Sequence, residues 1–321
     1  SPDLPETGRT MTLVVAPTKC YQPEMMREGG KPWGYPLQLY ALRSAENWGI
    51  GDFTDLGKMA GVAQRFGADI LGINPINVAF MANVETASPY YSSSRLFLNP
   101  LYIDVTAVEG AQKSKKLQAL LADKDFQAKL EKARASRLVD YALVGELKGK
   151  AFEALYAEFK GSADFDAFCE KGGKELDNAA LYQVLAESFV LKKKGVGFKS
   201  WGKAYDSPDT AQAKKFAREH ADRIRYFKYL FWLADAQFKA ASEACEAANL
   251  GVGLYQDLAV GVAAESAETW GAQELFAVDL SIGSPPDMFN ADGQRWGVAP
   301  MRPEVMKQEA YATYRRILSA N

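Results

Sequence analysis

The sequence predicts an α/β protein with a parallel sheet and a large helical insertion after the second strand. Three observations predict it. Short apolar runs alternate with an amphipathic segment near the start of the chain. Lysine, glutamate and alanine dominate from Thr106 to about Asn249. An apolar run then returns in GVGLYQDLAVGV, residues 251–262.

The first element is YPLQLYAL, and its short apolar run predicts a strand over Tyr35–Leu42. The loop RSAENWGIGDF follows, with two glycines. TDLGKMAGVAQRFG has Leu56, Met59, Ala60, Val62 and Ala63 near helical spacing, with Thr54 as the expected N-cap. ADILGINPINVAF is a second buried strand that Asn74-Pro75 stops, because proline restricts the residue before it and lacks an N–H. Strand, helix and strand with short links form a βαβ unit, hence a parallel sheet. The long loop ANVETASPYYSSSRLFLNP and LYIDV come next.

The helical block contains QKSKKLQALLADKDFQAKLEKARA, ELKGKAFEALYAEFK and NAALYQVLAESFVLKKK. Its last helix is long, with Phe227, Leu230, Phe231, Ala234 and Phe238 on one stripe and Gly251 just past its end. Such a stripe reads as core packing. The chain divides into residues 1–105, 106–250 and 251–321, expected to form one domain.

Bulk properties exclude several functions. Hydrophobic residues make up 48% and charged residues 24%, the balance of a globular protein, and the net charge is -2. No strong field recruits nucleic acid or an anionic membrane, and no apolar run reaches bilayer length. Cys20, Cys169 and Cys245 form no CxxC pair and read as reduced thiols, with a cytoplasmic location expected. The chain opens on SPDLPETGRT rather than methionine, so it is expected to be cut from something longer. The single histidine, His220, sits in KKFAREHADRIRY and reads as a solvated side chain on a charged helix face. One histidine excludes a multi-histidine metal site, and no GxSxG elbow is present. Charged chemistry falls to carboxylates.

Three loops follow the predicted strands. One offers Ser88 and Tyr90, another Asp257, and the third, GSPPDMFNADGQRWG, offers Asp287, Gln294 and Trp296. Carboxylates and amides suit sugar hydroxyls, and aromatic faces suit the apolar side of a pyranose. No GxxxxGK[ST] or GxGxxG phosphate cradle is present. A neutral, hydroxyl-rich ligand such as a carbohydrate fits. On residue type alone, Asp257 also fits an interior hydrogen-bonding role, and Trp296 a lid over the core.

At these residues the chain resembles the 4-alpha-glucanotransferases, also called amylomaltases or disproportionating enzymes. The resemblance rests on TLVVAPTKCYQP, QLYALRSAENWGIGDFTDL, GADILGINP, ASPYYSSSRLFLNPLYIDV, GLYQDLAVGV, AETW and GSPPDMFNADGQRWGVAPMRPE, in the family's order. The family implies a (β/α)8 barrel, incomplete here, and retaining transfer of α-1,4-glucan segments between maltooligosaccharides. That reaction passes through a glycosyl-aspartate, with a glutamate as acid and base and a second aspartate holding the sugar. No metal or organic cofactor is implied. Ser88 and Tyr90 match positions lining the sugar site, Asp257 an acidic substrate contact, and Asp287, Gln294 and Trp296 contacts to the glucan. Asn77 stands where the family often has histidine, Tyr91 and Ser92 where it has Ser-Pro, and Phe231 where it has glutamine.

The family's nucleophile lies in an Arg-Ile-Asp-His motif that this sequence does not contain, so no catalytic residue is expected among these residues. The sequence therefore predicts the front part of a glucanotransferase, truncated before the nucleophile strand. The alternative is a maltooligosaccharide-binding fragment without chemistry. A third reading is a fragment that self-associates to cover an open sheet edge.

Overall fold

A computed structural model describes residue 13, residues 15–27 and residues 29–320. The motif at 12–23 lies partly outside the described residues, and the opening decapeptide wholly so. After a single helical turn, α1 (Glu24–Arg27), come β1 (Gly34–Leu37), α2 (Phe53–Arg65) and β2 (Ile70–Ile73). Six helices follow: α3 (Lys115–Ala122), α4 (Lys124–Ala135), α5 (Tyr141–Tyr156), α6 (Ala163–Leu191), α7 (Ala211–Glu219) and α8 (Ala221–Ala247). The chain then forms β3 (Gly253–Gln256), β4 (Val262–Ala263), α9 (Ala267–Gly271), β5 (Ile282–Ser284), β6 (Gln294–Ala299), α10 (Pro303–Gln308) and α11 (Ala312–Ala320).

The strands make two sheets. In the first, β1, β2 and β3 run parallel in that order, with Gly34 opposite Ile70 and Ile70 opposite Gly253. This is the βαβ unit expected from the alternating apolar runs. In the second, β6 lies between β4 and β5, antiparallel to both.

Four local expectations are corrected. The first strand ends at Leu37 rather than Leu42, because a 3-10 turn takes over at Leu39–Ala41. There the Asn74 side chain accepts the Leu39 N–H at 2.8 Å. The cap of α2 is Asp52, not Thr54. Asp52 accepts the Asp55 N–H while Asp55 reaches back to the Asp52 N–H, a reciprocal capping box. Thr54 instead donates to the Asp104 carboxylate at 2.7 Å. The helix before β3 stops with Asn249, not Gly251, in the left-handed region, at φ 55°. Finally, the segment 283–297 is a β-hairpin rather than a loop throughout. Gly293 (φ 70°) allows its turn, and a Cβ there would meet Ser284 O at 2.7 Å.

The long stripe on α8 packs as expected. Phe227, Leu230, Phe231 and Ala234 are buried and Phe238 packs against them. Phe231 stacks on Phe97 at 5.2 Å, so the position that departs from the family's glutamine is an aromatic core contact. Each such buried side chain contributes ~1.5–3 kcal/mol by leaving water. Helix α8 packs against α2, α6 and β3. A smaller core of Val262, Leu275, Phe276 and Ala299 lies under the antiparallel sheet.

One charged group sits inside the helical side. Lys148 on α5 is 1% exposed and donates to the Leu101 and Ile103 carbonyls, each at 2.7 Å. Asp52, Asp55 and Asp104 surround it electrostatically. Burial disfavours its charged form and lowers its pKa to about 8, despite the opposing pull of those carboxylates. Burial likewise raises the Asp52 carboxyl to about 6, although Lys148 acts against it. This cluster ties the helical block to the start of α2 and to LYIDV.

Candidate functional site

The candidate site lies at the carboxyl ends of the parallel strands, where open α/β sheets and barrels place ligands. Asp257 follows β3 directly. Its N–H donates to Ile73 O at 3.0 Å, extending the ladder and fixing the aspartate at the sheet end. Tyr90, on the long loop after β2, donates its hydroxyl to Asp257 Oδ2 at 2.7 Å. That hydrogen bond to a carboxylate is the first cause of a raised phenol pKa for Tyr90, with some desolvation added. The Tyr90 ring remains 53% exposed, so a face is open to a ligand. Ser88 lies two residues earlier. It is exposed, and its carbonyl accepts the Tyr91 N–H at 3.0 Å, which turns the loop.

The second pair sits on the hairpin. Gln294 and Trp296 are two apart on β6, so they share one face. Trp296 Nε1 donates to Gln294 Oε1 at 3.0 Å, and the indole is 46% exposed. Asp287 holds the hairpin tip, where its Oδ1 accepts the Phe289 and Asn290 N–H groups, each at 2.8 Å. Among the described residues, no hydrogen bond joins Ser88 or Asp287 to the other four candidates.

The two pairs are connected by their neighbours. A Cβ on Gly297 would sit 3.4 Å from the Tyr91 ring, in van der Waals contact, so the tyrosine lies against β6. Tyr91, which departs from the family's serine, thus seats the Tyr90 loop on the hairpin. At Gly261, four residues past Asp257, the approach is closer: a Cβ there would meet Val298 Cγ1 at 2.5 Å. Asn77, which departs from the family's histidine, donates to Arg95 O at 3.1 Å.

Residue-type reasoning missed the support beneath. Arg95 and Glu268 are buried together: Nη2 reaches Oε1 at 2.7 Å and Nε reaches Oε2 at 3.5 Å. The Arg95 N–H also donates to Oε2 at 2.8 Å, and Nη1 donates to Val260 O at 3.4 Å. Opposite charges in the otherwise small or apolar motifs SSSR and AETW were the available signal. Trp270 of the same AETW motif is buried and donates to Tyr205 O at 2.9 Å.

His220 is no solvated residue. It is half-buried at the junction of α7 and α8, stacked on Phe216 at 3.8 Å, with Nδ1 3.0 Å from Phe216 O. Among the described residues, no group of three or more His, Cys, Asp or Glu side chains is arranged to hold a metal ion. Among them, no helix is long and apolar enough to cross a membrane.

Fold and site together define a mixed α/β protein with an aromatic–carboxylate pair at the end of the parallel strands and an aromatic–amide pair on the antiparallel hairpin. Residues 37–321 match the model of the 4-alpha-glucanotransferase family, and the chain belongs to that family. A 4-alpha-glucanotransferase of Haemophilus influenzae is 34% identical over 322 residues, spanning 96% of this chain and 46% of the relative. One of Mycobacterium bovis is 31% identical over 331 residues, spanning 98% and 44%. The chain therefore spans under half the length of these relatives. The crystal structure of amylomaltase from Corynebacterium glutamicum aligns with a TM-score of 0.70 at 27% identity, covering 90% of this chain and 39% of that one. Amylomaltase from Streptococcus agalactiae in complex with acarbose aligns with a TM-score of 0.70 at 21% identity, over 90% and 57%, and shows the same fold.

Proposed function

We propose that this chain supplies the glucan-holding wall of a 4-alpha-glucanotransferase, which transfers α-1,4-glucan segments between maltooligosaccharides with retention. The observation that carries the reading is the pairing of Tyr90 with Asp257 at the strand ends, beside the Gln294–Trp296 pair. Family membership supplies the substrate class. In this reading the Asp257 carboxylate accepts hydrogen bonds from sugar hydroxyls and Tyr90 orients it. Gln294 adds hydroxyl contacts, and Trp296 stacks on a pyranose face. Asp287 and Ser88 shape the loops that meet the glucan, and their side chains contact it.

The three parallel strands are read as part of a (β/α)8 barrel and the helices between β2 and β3 as an insertion in it. Residues 1–105, 106–250 and 251–321 then form one domain. No catalytic carboxylate is assigned among these residues, because the sequence holds no Arg-Ile-Asp-His motif. The three unpaired thiols support a cytoplasmic location.

Incubation of the purified chain with maltotriose, followed by separation of the sugars, tests the assignment. Unchanged maltotriose, with binding seen separately, is the expected result. A ladder of glucose and longer oligosaccharides would overturn the statement that the transfer chemistry lies outside these residues.

A further inference from the structure

We propose that Arg95 is a positioning residue for the glucan site, acting through Glu268 to fix the distance between Tyr90 and Asp257. The inference rests on the glucan-site reading above. Its geometry is that of one buried cation joined to three parts of the chain. Arg95 belongs to the loop that carries Tyr90, five residues earlier. Its guanidinium grips Glu268 at the start of α9 and also reaches Val260 O, three residues after Asp257. The same cation therefore holds the base of the Tyr90 loop and the segment leaving Asp257.

The main chain reinforces this lock. The Glu268 N–H donates to Ser93 O at 3.0 Å, and the Ala263 N–H donates to Ser92 O at 3.1 Å. The Ala267 N–H donates to Ser93 Oγ at 3.2 Å, and the Ser93 N–H donates to Val78 O at 2.8 Å. The loop base is thus stitched to α9 and β4 by backbone bonds. The guanidinium adds the contact with Val260, on the Asp257 side. Both carboxylate oxygens of Glu268 are occupied by Arg95, which fixes the plane of the fork. A lysine keeps the charge but not the fork, so it cannot hold Glu268 and Val260 in one plane. Tyr90 and Asp257 sit on the two segments that the cation joins, and their exposed hydrogen bond depends on how the Tyr90 loop is set against the end of β3.

A purely structural role for Arg95 would lower stability and leave Tyr90 unchanged. The positioning role moves Tyr90. The experiment follows the Tyr90 phenol by NMR of tyrosine labelled with carbon-13 at Cζ, with Tyr90→Phe assigning the signal. In the unmodified chain the Tyr90 pKa is expected above that of free tyrosine. In folded Arg95→Lys and Glu268→Gln it is expected to fall toward the ordinary value, while buried Tyr229 does not move. Maltotetraose binding is expected to weaken roughly tenfold in both, the loss that follows from misplacing one charged hydrogen bond. An unmoved Tyr90 signal in either folded variant overturns the proposal.

Hydrogen exchange of the unmodified chain keeps the test decisive if both variants fail to fold. The Arg95 and Glu268 amides are expected to exchange together at one slow rate; a fast Arg95 amide beside a slow Glu268 amide overturns the lock. Failure of the glucan reading is read separately, as no maltotetraose binding by the unmodified chain, since the Tyr90 and exchange readouts use no sugar.

Discussion

The Tyr90 hydroxyl donates to the Asp257 carboxylate at 2.7 Å across 167 residues of sequence. The bond joins the loop after the second parallel strand to the end of the third. Removing the carboxylate's charge by Asp257→Asn is expected to bring the Tyr90 phenol back toward its ordinary pKa, because that bond is the first cause of its elevation. The site is exposed, so the fold is expected to lose less than about 1 kcal/mol. A carbon-13 tyrosine titration and a denaturant melt check both.

Lys148 is expected to be costly to replace. Lys148→Met leaves the Leu101 and Ile103 carbonyls without their donor and three nearby carboxylates without a cation. Breaking buried charge contacts of this kind costs about 3–5 kcal/mol. Urea unfolding at neutral pH measures it.

The same cluster sets two opposed pH dependences. The folded-state pKa of Lys148 is lowered from 10.5 to about 8, so between those values the unfolded chain holds the proton and the folded chain does not. Stability from this group rises with pH across that window, by about 3 kcal/mol in all. Asp52 is raised from 3.8 to about 6, so the folded chain holds its proton longer. Its contribution is present at low pH and is lost as pH rises from 3.8 to about 6. The difference in stability between the unmodified chain and Lys148→Met, followed from pH 8 to 10.5, isolates the first slope. Asp52→Asn does the same for the second in acid.

Trp296 is half-exposed on a strand, and its indole N–H donates to Gln294 of the same strand. Trp296→Ala is expected to leave the melting temperature within a few degrees and to weaken maltooligosaccharide binding by roughly tenfold. Calorimetric titration with maltotetraose beside a thermal melt separates the two effects.

Gly293→Ala is expected to destabilise the hairpin by about 1–2 kcal/mol or more, since the position combines φ 70° with a Cβ contact at 2.7 Å to backbone. The loss is read as faster exchange of the β5–β6 amides with little change in the α8 amides.

Much of this architecture was legible in the sequence. Apolar runs located β1, β2 and β3; β2 is the largely buried middle strand and reads as a continuous hydrophobic stretch, while β1 and β3 flank it half-buried. The stripe from Phe227 to Phe238 gave the buried face of α8. The ends were harder to read. Thr54 is a good cap by type, but Asp52 wins because Asp55 completes a reciprocal pair. The 283–297 hairpin was hidden by its prolines and by a register shift between Ile282 and Gly283, which breaks the alternation that marks a strand. Residue types suggested a sugar site and family motifs placed six residues in it. Which of them touch is a tertiary fact: Tyr90 meets Asp257, while Asp287 turns back on its own backbone. Arg95 and Glu268 lie 173 apart, and no local pattern links them.

The most direct test of the glucan site is tryptophan fluorescence during titration with maltotetraose, in the unmodified chain, Trp296→Phe and Asp257→Asn. A saturable change is expected in the unmodified chain. It is expected to vanish in Trp296→Phe and to need much higher sugar concentrations in Asp257→Asn. A saturable change that persists unaltered in both variants would place the sugar elsewhere and overturn the assignment of the glucan site.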